Sequence, residues 1–388
     1  MTKLFFLAGI LSVFSVFFSQ LPPVQVTDFI PHISSNALNQ TSHYQSQMVT
    51  QGKTASVHSA AMSELSNLDI RAFWYGGTRE GAKDVAIYST IFDNDTKQWE
   101  KAEAIIDRHD VAASTHRYIR KLGNPVVVKK LDGSLWLFYV SVSVGGWSTS
   151  QLNVSISFDE GLHWTPPKHL ITSPFFNLSY LVKSPPILLA NGNIGLPVYH
   201  ELAGKFSEWI EINSDQQVIM KHRISAKRYA IQPTLTPVTN NQAISFMRDS
   251  DEVEKRVFMS TSQDQGQHWS PPEATTLKNP NSAVATLPIS EHELLMVLNN
   301  SEHERDNLSL AYSSDLGKSW RILAILDQPS ETDKLREKIE YSYPYLIKTK
   351  TGSFHLLYTW HKTHIKHIEF NQTWLQQKIS TPLTPSSI

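Results

Sequence analysis

Polar and apolar positions along the chain recur in a fixed order. A short polar or proline-bearing opening leads into an apolar strand, then a hairpin signal, then a second β-rich strand. The openings are His58-Ser59-Ala60, Asn124-Pro125, Ser184-Pro185-Pro186, Gln232-Pro233, Asn281-Ser282 and Ser342-Tyr343-Pro344. Asp132-Gly133, Asn191-Gly192 and Thr351-Gly352 are the hairpin signals, and Leu135-Trp136-Leu137-Phe138-Tyr139 is a representative second strand. A second marker follows each opening. Three full copies read S-x-D-x-G-x-x-W, at Ser157 to Trp164, Ser262 to Trp269 and Ser313 to Trp320. Degenerate copies stand at Phe92-Asp93 with Trp99, at Asn213-Ser214-Asp215, and at Phe370-Asn371 with Trp374. Successive markers are about 50 to 65 residues apart, the length of one four-stranded blade. Two independent series of six predict an all-β fold, a six-bladed β-propeller of four-stranded antiparallel blades, over residues 51–380.

The marker residues have structural work. The carboxylates of Asp159, Asp264 and Asp315 accept hydrogen bonds from their own turns, the glycine supplies a positive φ, and Trp164, Trp269 and Trp320 pack between sheets.

The first 50 residues follow another pattern. Leu4 to Phe18 is 15 residues without a charge, after a single Lys3. That is short for a membrane span and suits the core of an export signal, so residues 1–20 are expected to be a signal peptide or a membrane anchor. Residues 21–50 are polar, with Pro22 and Pro23, and read as a linker. Export without any Cys fits a periplasmic or secreted bacterial protein, whether free or held by residues 4–18.

The chain of 388 residues has a formal charge of −1, which leaves no global basic field for nucleic acid. The absence of Cys excludes disulfides, thiolate metal sites and a Cys nucleophile. No motif calls for a metal or cofactor. Of the 16 His, His361, His364 and His367 read as one face of a terminal strand.

Propeller geometry converts position into place. The innermost strand of each blade starts at one mouth of the channel, and the antiparallel second strand returns there. That mouth is expected to hold His58, Asn124, Lys183, Gln232, Asn281, Tyr341 and Tyr343 from the openings. Returning strands and their loops add Arg79, Glu80, Asp84, His200, Glu201, Arg248, Asp249, Asn299, Arg305, Trp360 and His361. Arg79, Arg248 and Arg305, from three blades, would converge there, and arginines gathered this way favour an anion between them. Pairing of Arg79 with Asp84, or of Arg248 with Asp249, is the plainer alternative. Trp360 could stack on a sugar ring or pack in the core.

These residues resemble the sialidase superfamily, in its predicted-neuraminidase branch with bacterial neuraminidase repeats, whose Asp box the S-x-D-x-G-x-x-W turns match. Trp74 to Ile87, Asn279-Pro280-Asn281-Ser282, Glu340 to Pro344 and Tyr358-Thr359-Trp360 carry the resemblance, which spans residues 51 to 370. It implies a retaining glycoside hydrolase acting on an anionic glycan, with Asp84 as acid/base, Tyr341 as nucleophile, and Arg248 and Arg305 as two of three carboxylate-binding arginines. A Tyr nucleophile suits a sugar whose own carboxylate would repel an anionic one. Two positions depart from the pattern. His58-Ser59-Ala60 stands where an Arg-Ile-Pro opening is usual, and Gln232 stands where a Glu activates the Tyr. Glu201 is a candidate substitute base. His58 offers a second route, as general acid/base of a hydrolase or lyase on uronic-acid polysaccharide. A third reading is a glycan-binding propeller without catalysis.

Overall fold

In this computed structural model, residues 26–31, 40–50, 52–173, 177–225, 229–331, 333 and 339–381 are described. Six antiparallel sheets follow one another around a ring. Their innermost strands are Ser56–Glu64, Lys121–Lys129, Ile187–Leu188, Ala230–Pro237, Ala285–Pro288 and Tyr341–Lys348. Each sheet is a meander of four strand positions. In blade one the outermost position is shared by Gln98–Trp99 and Glu103–Ile106, both paired with Ala86–Asp93. The second strands, such as Ile70–Gly77 and Leu135–Val142, are buried throughout, as expected of strands covered on both faces by neighbouring blades.

Blade six is built from both ends of the chain. Tyr341–Lys348, Phe354–Trp360 and His364–Phe370 supply three strands, and Tyr44–Met48 adds the fourth, pairing Tyr44 with Phe370 and Met48 with Lys366. The stretch 21–50, read above as linker, therefore contributes a blade strand. Its sequence Tyr-Gln-Ser-Gln-Met hides this, because an edge strand open to solvent carries no apolar alternation. Upstream, Phe29 is buried and pairs with Leu189, and Asp28 accepts from the Asn240 and Gln265 side chains. The expected signal or anchor at residues 1–20 lies outside the described residues. Among the described residues no helix is long and apolar enough to cross a membrane.

The Asp-box turns are built alike. In blade two, Ser157 Oγ accepts from the Gly161 N–H at 2.7 Å and donates to Asp159 at 2.8 Å, while Asp159 accepts from the His163 N–H at 2.9 Å. Blades four and five repeat the pattern at Asp264 and Asp315. Trp164 meets Phe73 of blade one edge-on at 5.7 Å, and Trp320 meets Phe246 of blade four at 5.5 Å. These two box tryptophans thus join their blades to the preceding ones. The degenerate copies keep the capping side chain without the serine and glycine of the full turn. Asp93 and Asn213 accept from N–H groups of their own turns, and Asn371 caps the helix Gln372–Ser380.

Candidate active site

One backbone feature recurs where the channel opens. In five blades a non-glycine residue has positive φ, in the innermost strand for Ser59 (52°), Asn124 (47°), Gln232 (55°) and Tyr343 (55°), and in the segment leading into it for Asn281 (55°). In four of these blades the pairing register shifts at the same place. Such conformations cost on the order of 1 kcal/mol each and persist only where the surroundings impose them. The bend turns the chain at the rim and sends polar side chains toward the axis.

A connected set of charged and polar groups lines this opening. Arg248, ending the second strand of blade four, donates through Nη1 to Gln232 Oε1 at 3.0 Å and through Nε to Asn281 Oδ1. Gln232 in turn donates to Tyr199 Oη at 3.2 Å. Arg305 donates to the Asn281 carbonyl at 2.6 Å and forms an ion pair with Glu340 at 3.1 Å. Lys362 lies 3.7 Å from Glu340 and 3.1 Å from Glu80. One chain of contacts therefore runs from Tyr199 in blade three through blades four, five and six to Glu80 in blade one.

His58 stands near the blade-one end of this arc. Its ring meets Tyr343 edge-on at 4.5 Å and Tyr75 at 5.8 Å. Nδ1 is buried and has no hydrogen-bond partner among the described residues. Burial lowers its pKa to about 4, so the imidazole is neutral at pH 7. Burial also pushes the phenols of Tyr75 and Tyr199 well above their usual range, and it lowers the pKa of Arg248. For Glu80 and Glu340 burial opposes ionisation but is outweighed, by His58 and Lys362 at Glu80 and chiefly by Lys362 and Arg305 at Glu340, so both carboxyls stay below the ordinary range. On the blade-two side Lys121 Nζ sits 3.8 Å from the Trp147 ring centroid, and Trp147 reaches Tyr75 at 6.2 Å.

With fold and mouth described, the sequence can be placed among known proteins. Residues 69–356, well over half the chain, match the family described as BNR repeat-like domain. The chain belongs to that family. No curated protein matches it in sequence. Among solved structures, Hadza microbial sialidase Hz136 superposes with a TM-score of 0.67 at 14% identity, over 84% of this chain and 68% of that one. A Dyadobacter fermentans protein of unknown function gives 0.68 at 12% identity, over 84% and 99%. The intramolecular trans-sialidase from Ruminococcus gnavus, in complex with oseltamivir carboxylate, gives 0.66 at 12%, over 84% and 96%. At such identities the likeness establishes the shared propeller, and site residues rest on the geometry of this chain.

This BNR repeat-like chain places His58, Gln232, Asn281, Arg248 and Arg305 around the same opening. Glu201 lies close enough to influence Arg248 and Tyr199, while its N–H donates to Ser179 Oγ at 2.8 Å. Asn124 is buried at the blade-two bend, and Lys183 is buried in the channel.

Other expected residues are elsewhere. Tyr341 is fully buried in the core between blades five and six, 5.0 Å from the His361 ring and 6.4 Å from that of Tyr358. In a regular strand residues 341 and 343 would share a face, but the register shift after Ser342 breaks that relation and gives the mouth to Tyr343. Asp84 is exposed and accepts from the Thr78 N–H and hydroxyl at 2.9 and 3.0 Å, beside a hollow of about 300 Å³ also lined by Lys83, Arg108 and His109. Glu80, four residues earlier, is the carboxylate of that loop at the centre. Arg79 is exposed, so two arginines converge rather than three, and Lys362 is the third cation. Trp360 packs on His361 at 3.9 Å and His364 at 5.8 Å. His364 and His367 point to opposite faces because their spacing is odd, and buried His367 instead pairs with His355 at 3.0 Å. Among the described residues no cluster of three His, Asp or Glu could hold a metal.

Glu340 and Lys362 were missed by sequence reasoning, since one precedes its strand and the other sits in a hairpin. A signal for Tyr343 was present: it precedes Pro344 as Asn124 and Gln232 precede Pro125 and Pro233.

Proposed function

We propose that this protein is an exported sialidase-like glycoside hydrolase that releases a terminal sugar bearing a carboxylate from an anionic glycan. Arg248 carries the reading. Both of its hydrogen-bond partners in the mouth are neutral amides, Gln232 and Asn281, so among the described residues no carboxylate is bonded to its guanidinium. Arg305 reaches the same Asn281 from blade five. Two guanidinium groups meeting at one residue, Arg248 at its side-chain oxygen and Arg305 at its main-chain carbonyl, favour an anionic carboxylate between them. In this proposal Tyr343 is the nucleophile, because a sugar carboxylate beside the anomeric carbon disfavours an anionic carboxyl there. Gln232 cannot take the phenolic proton. Neutral His58, edge-on to Tyr343, is the base that can, and the proton it takes is the one available to the leaving glycosidic oxygen. Glu80, ionised, is the carboxylate that can deprotonate the water that hydrolyses the glycosyl-tyrosine.

The same His58 supports a second reading, a hydrolase or lyase on uronic-acid polysaccharide in which His58 is the general acid/base and Tyr343 is dispensable. The test is fluorophore release from 4-methylumbelliferyl sialoside, glucuronide and rhamnoside by protein lacking residues 1–20. Sialoside turnover that Tyr343→Phe abolishes is the expected result. Turnover of uronic-acid substrates that survives Tyr343→Phe and disappears in His58→Ala selects the second reading. Binding of acidic glycans with no turnover of any substrate overturns both and leaves a binding propeller. Export through residues 1–20 is checked by N-terminal sequencing of the protein recovered outside the cytoplasm.

A further inference from the structure

Tyr343 stands where the backbone is least regular. Its φ is 55°, a strained value for a bulky residue, and the pairing register of the blade-six innermost strand shifts around it. Ser342 pairs with Thr359 and Tyr345 with Leu357, so the ladder passes over Tyr343 and Pro344 between them. Among the described residues the Tyr343 hydroxyl makes no hydrogen bond. Blade four shows the contrast. Gln232, at the same bend and also before a proline, is tied by its own side chain to Arg248 and Tyr199. Tyr343 lacks such a tie, so its aim depends on the backbone that carries it.

That backbone is held from a distance. Beyond the bulge, Tyr345 Oη donates to the Val127 carbonyl of blade two at 3.2 Å. At the bulge itself, Lys183 Nζ donates to the main-chain carbonyl of Pro344. Proline has no N–H, which leaves this carbonyl as the polar group by which the residue can be held. Lys183 immediately precedes the blade-three opening and is 2% exposed. Blades three and six face each other in a ring of six, so its side chain crosses the central channel. Among the described residues no carboxylate forms an ion pair with it. An amine taken from water without a counter-charge costs stability. A methionine of similar length would fill the channel without that cost, so packing does not account for a lysine there. The bond to Pro344 does.

We propose that Lys183 is the positioning residue of Tyr343, a strut that fixes the bulge from the opposite wall and holds the phenol edge-on to His58. The role rests on the sialidase-like reading above, in which Tyr343 is the nucleophile. Lys183 acts through Pro344 and touches neither the sugar nor a reacting atom. Its effect therefore belongs to the attack and not to binding, which Arg248 and Arg305 carry out. Displacing a reacting group by about 1 Å costs on the order of a hundredfold in rate.

Steady-state turnover of 4-methylumbelliferyl sialoside, with thermal melting alongside, tests this. Lys183→Met is expected to lower kcat by about ten- to a hundredfold while KM and the melting temperature stay near those of the wild type. The chain has no Cys, so Lys183→Cys can be alkylated at a single sulfur in urea and refolded. An aminoethyl group rebuilds the lysine with its donor, and a propyl group rebuilds the shape without it. Recovery of kcat with aminoethyl and not with propyl is expected, and this pair carries the test if the Met variant does not fold. An unchanged kcat in Lys183→Met, equal recovery by the two adducts, or a rise in KM at constant kcat overturns the role and leaves the sialidase-like reading intact. A wild type without sialoside turnover, or turnover that survives Tyr343→Phe, overturns that reading, and this role with it.

Discussion

Arg248 and Asp249 are sequence neighbours with different work, because successive strand residues face opposite ways. Arg248 turns to the mouth. Asp249 turns inward and accepts from the N–H groups of Asp251, Glu252, Glu254 and Lys255, shaping the loop from which Glu252 reaches Asn281. Replacing Asp249 by Ala leaves those donors unsatisfied and is expected to cost about 3 kcal/mol, measured by urea unfolding, with weaker acid-sugar binding as the loop loosens. His58 sets a pH dependence. Its folded pKa is near 4, below the ordinary 6.5, so the unfolded chain binds the proton more readily. Its contribution is fully present above pH 6.5 and is lost as pH falls toward 4. Buried His355 and His367 behave alike. Acid titration of the melting temperature should show a fall across pH 6.5 to 4, with His58 accounting for up to about 3 kcal/mol. The two tyrosines give the sharpest contrast in the site. Tyr341→Phe is expected to keep turnover within a few-fold of wild type, and Tyr343→Phe to abolish it. The former loss with the latter activity intact would restore the assignment first read from the resemblance.

At the scale of elements, the Asp boxes were legible because their function is local: a hydroxyl, a carboxylate and a glycine within five residues complete the turn, whatever lies around it. Gly317 shows the packing that follows. Its φ is 87°, and a Cβ there would lie 2.7 Å from the Phe246 ring of the preceding blade. Gly317→Ala is therefore expected to lower the melting temperature by several degrees through both backbone strain and inter-blade collision, as scanning calorimetry would record. The mouth was less legible because its chemistry depends on where a strand bends. Tyr341, Asp84 and Arg79 carry the right functional groups near the right positions, yet a register shift buries the first and a self-capped loop holds the other two outside. Glu340 and Lys362 reach the site from either side of that bend, which periodicity cannot foresee. Trp147 is likewise defined by a contact distant in sequence: its ring lies over Gly123, where a Cβ would come within 2.5 Å.

For the molecule as a whole, six repeats in two phased series made the ring readable, and the closing strand was the part that escaped. Its register with His364–Phe370 is fixed by pairing across the length of the chain, not by any pattern of its own. Truncation through Gln25 should leave a cooperative melt, whereas truncation through Thr50 should broaden it and promote association, as calorimetry and light scattering would show. The exposed edge of His364–Phe370 would then be free to pair with another molecule. Closure also imposes an order in time. Tyr44–Met48 is synthesised well ahead of its partner His364–Phe370. At about 5 to 20 residues per second the early strand waits some 15 to 60 seconds for its mate. Until then the outer strand of the sixth blade has no partner, so a chain terminated before His364–Phe370 leaves that strand unpaired.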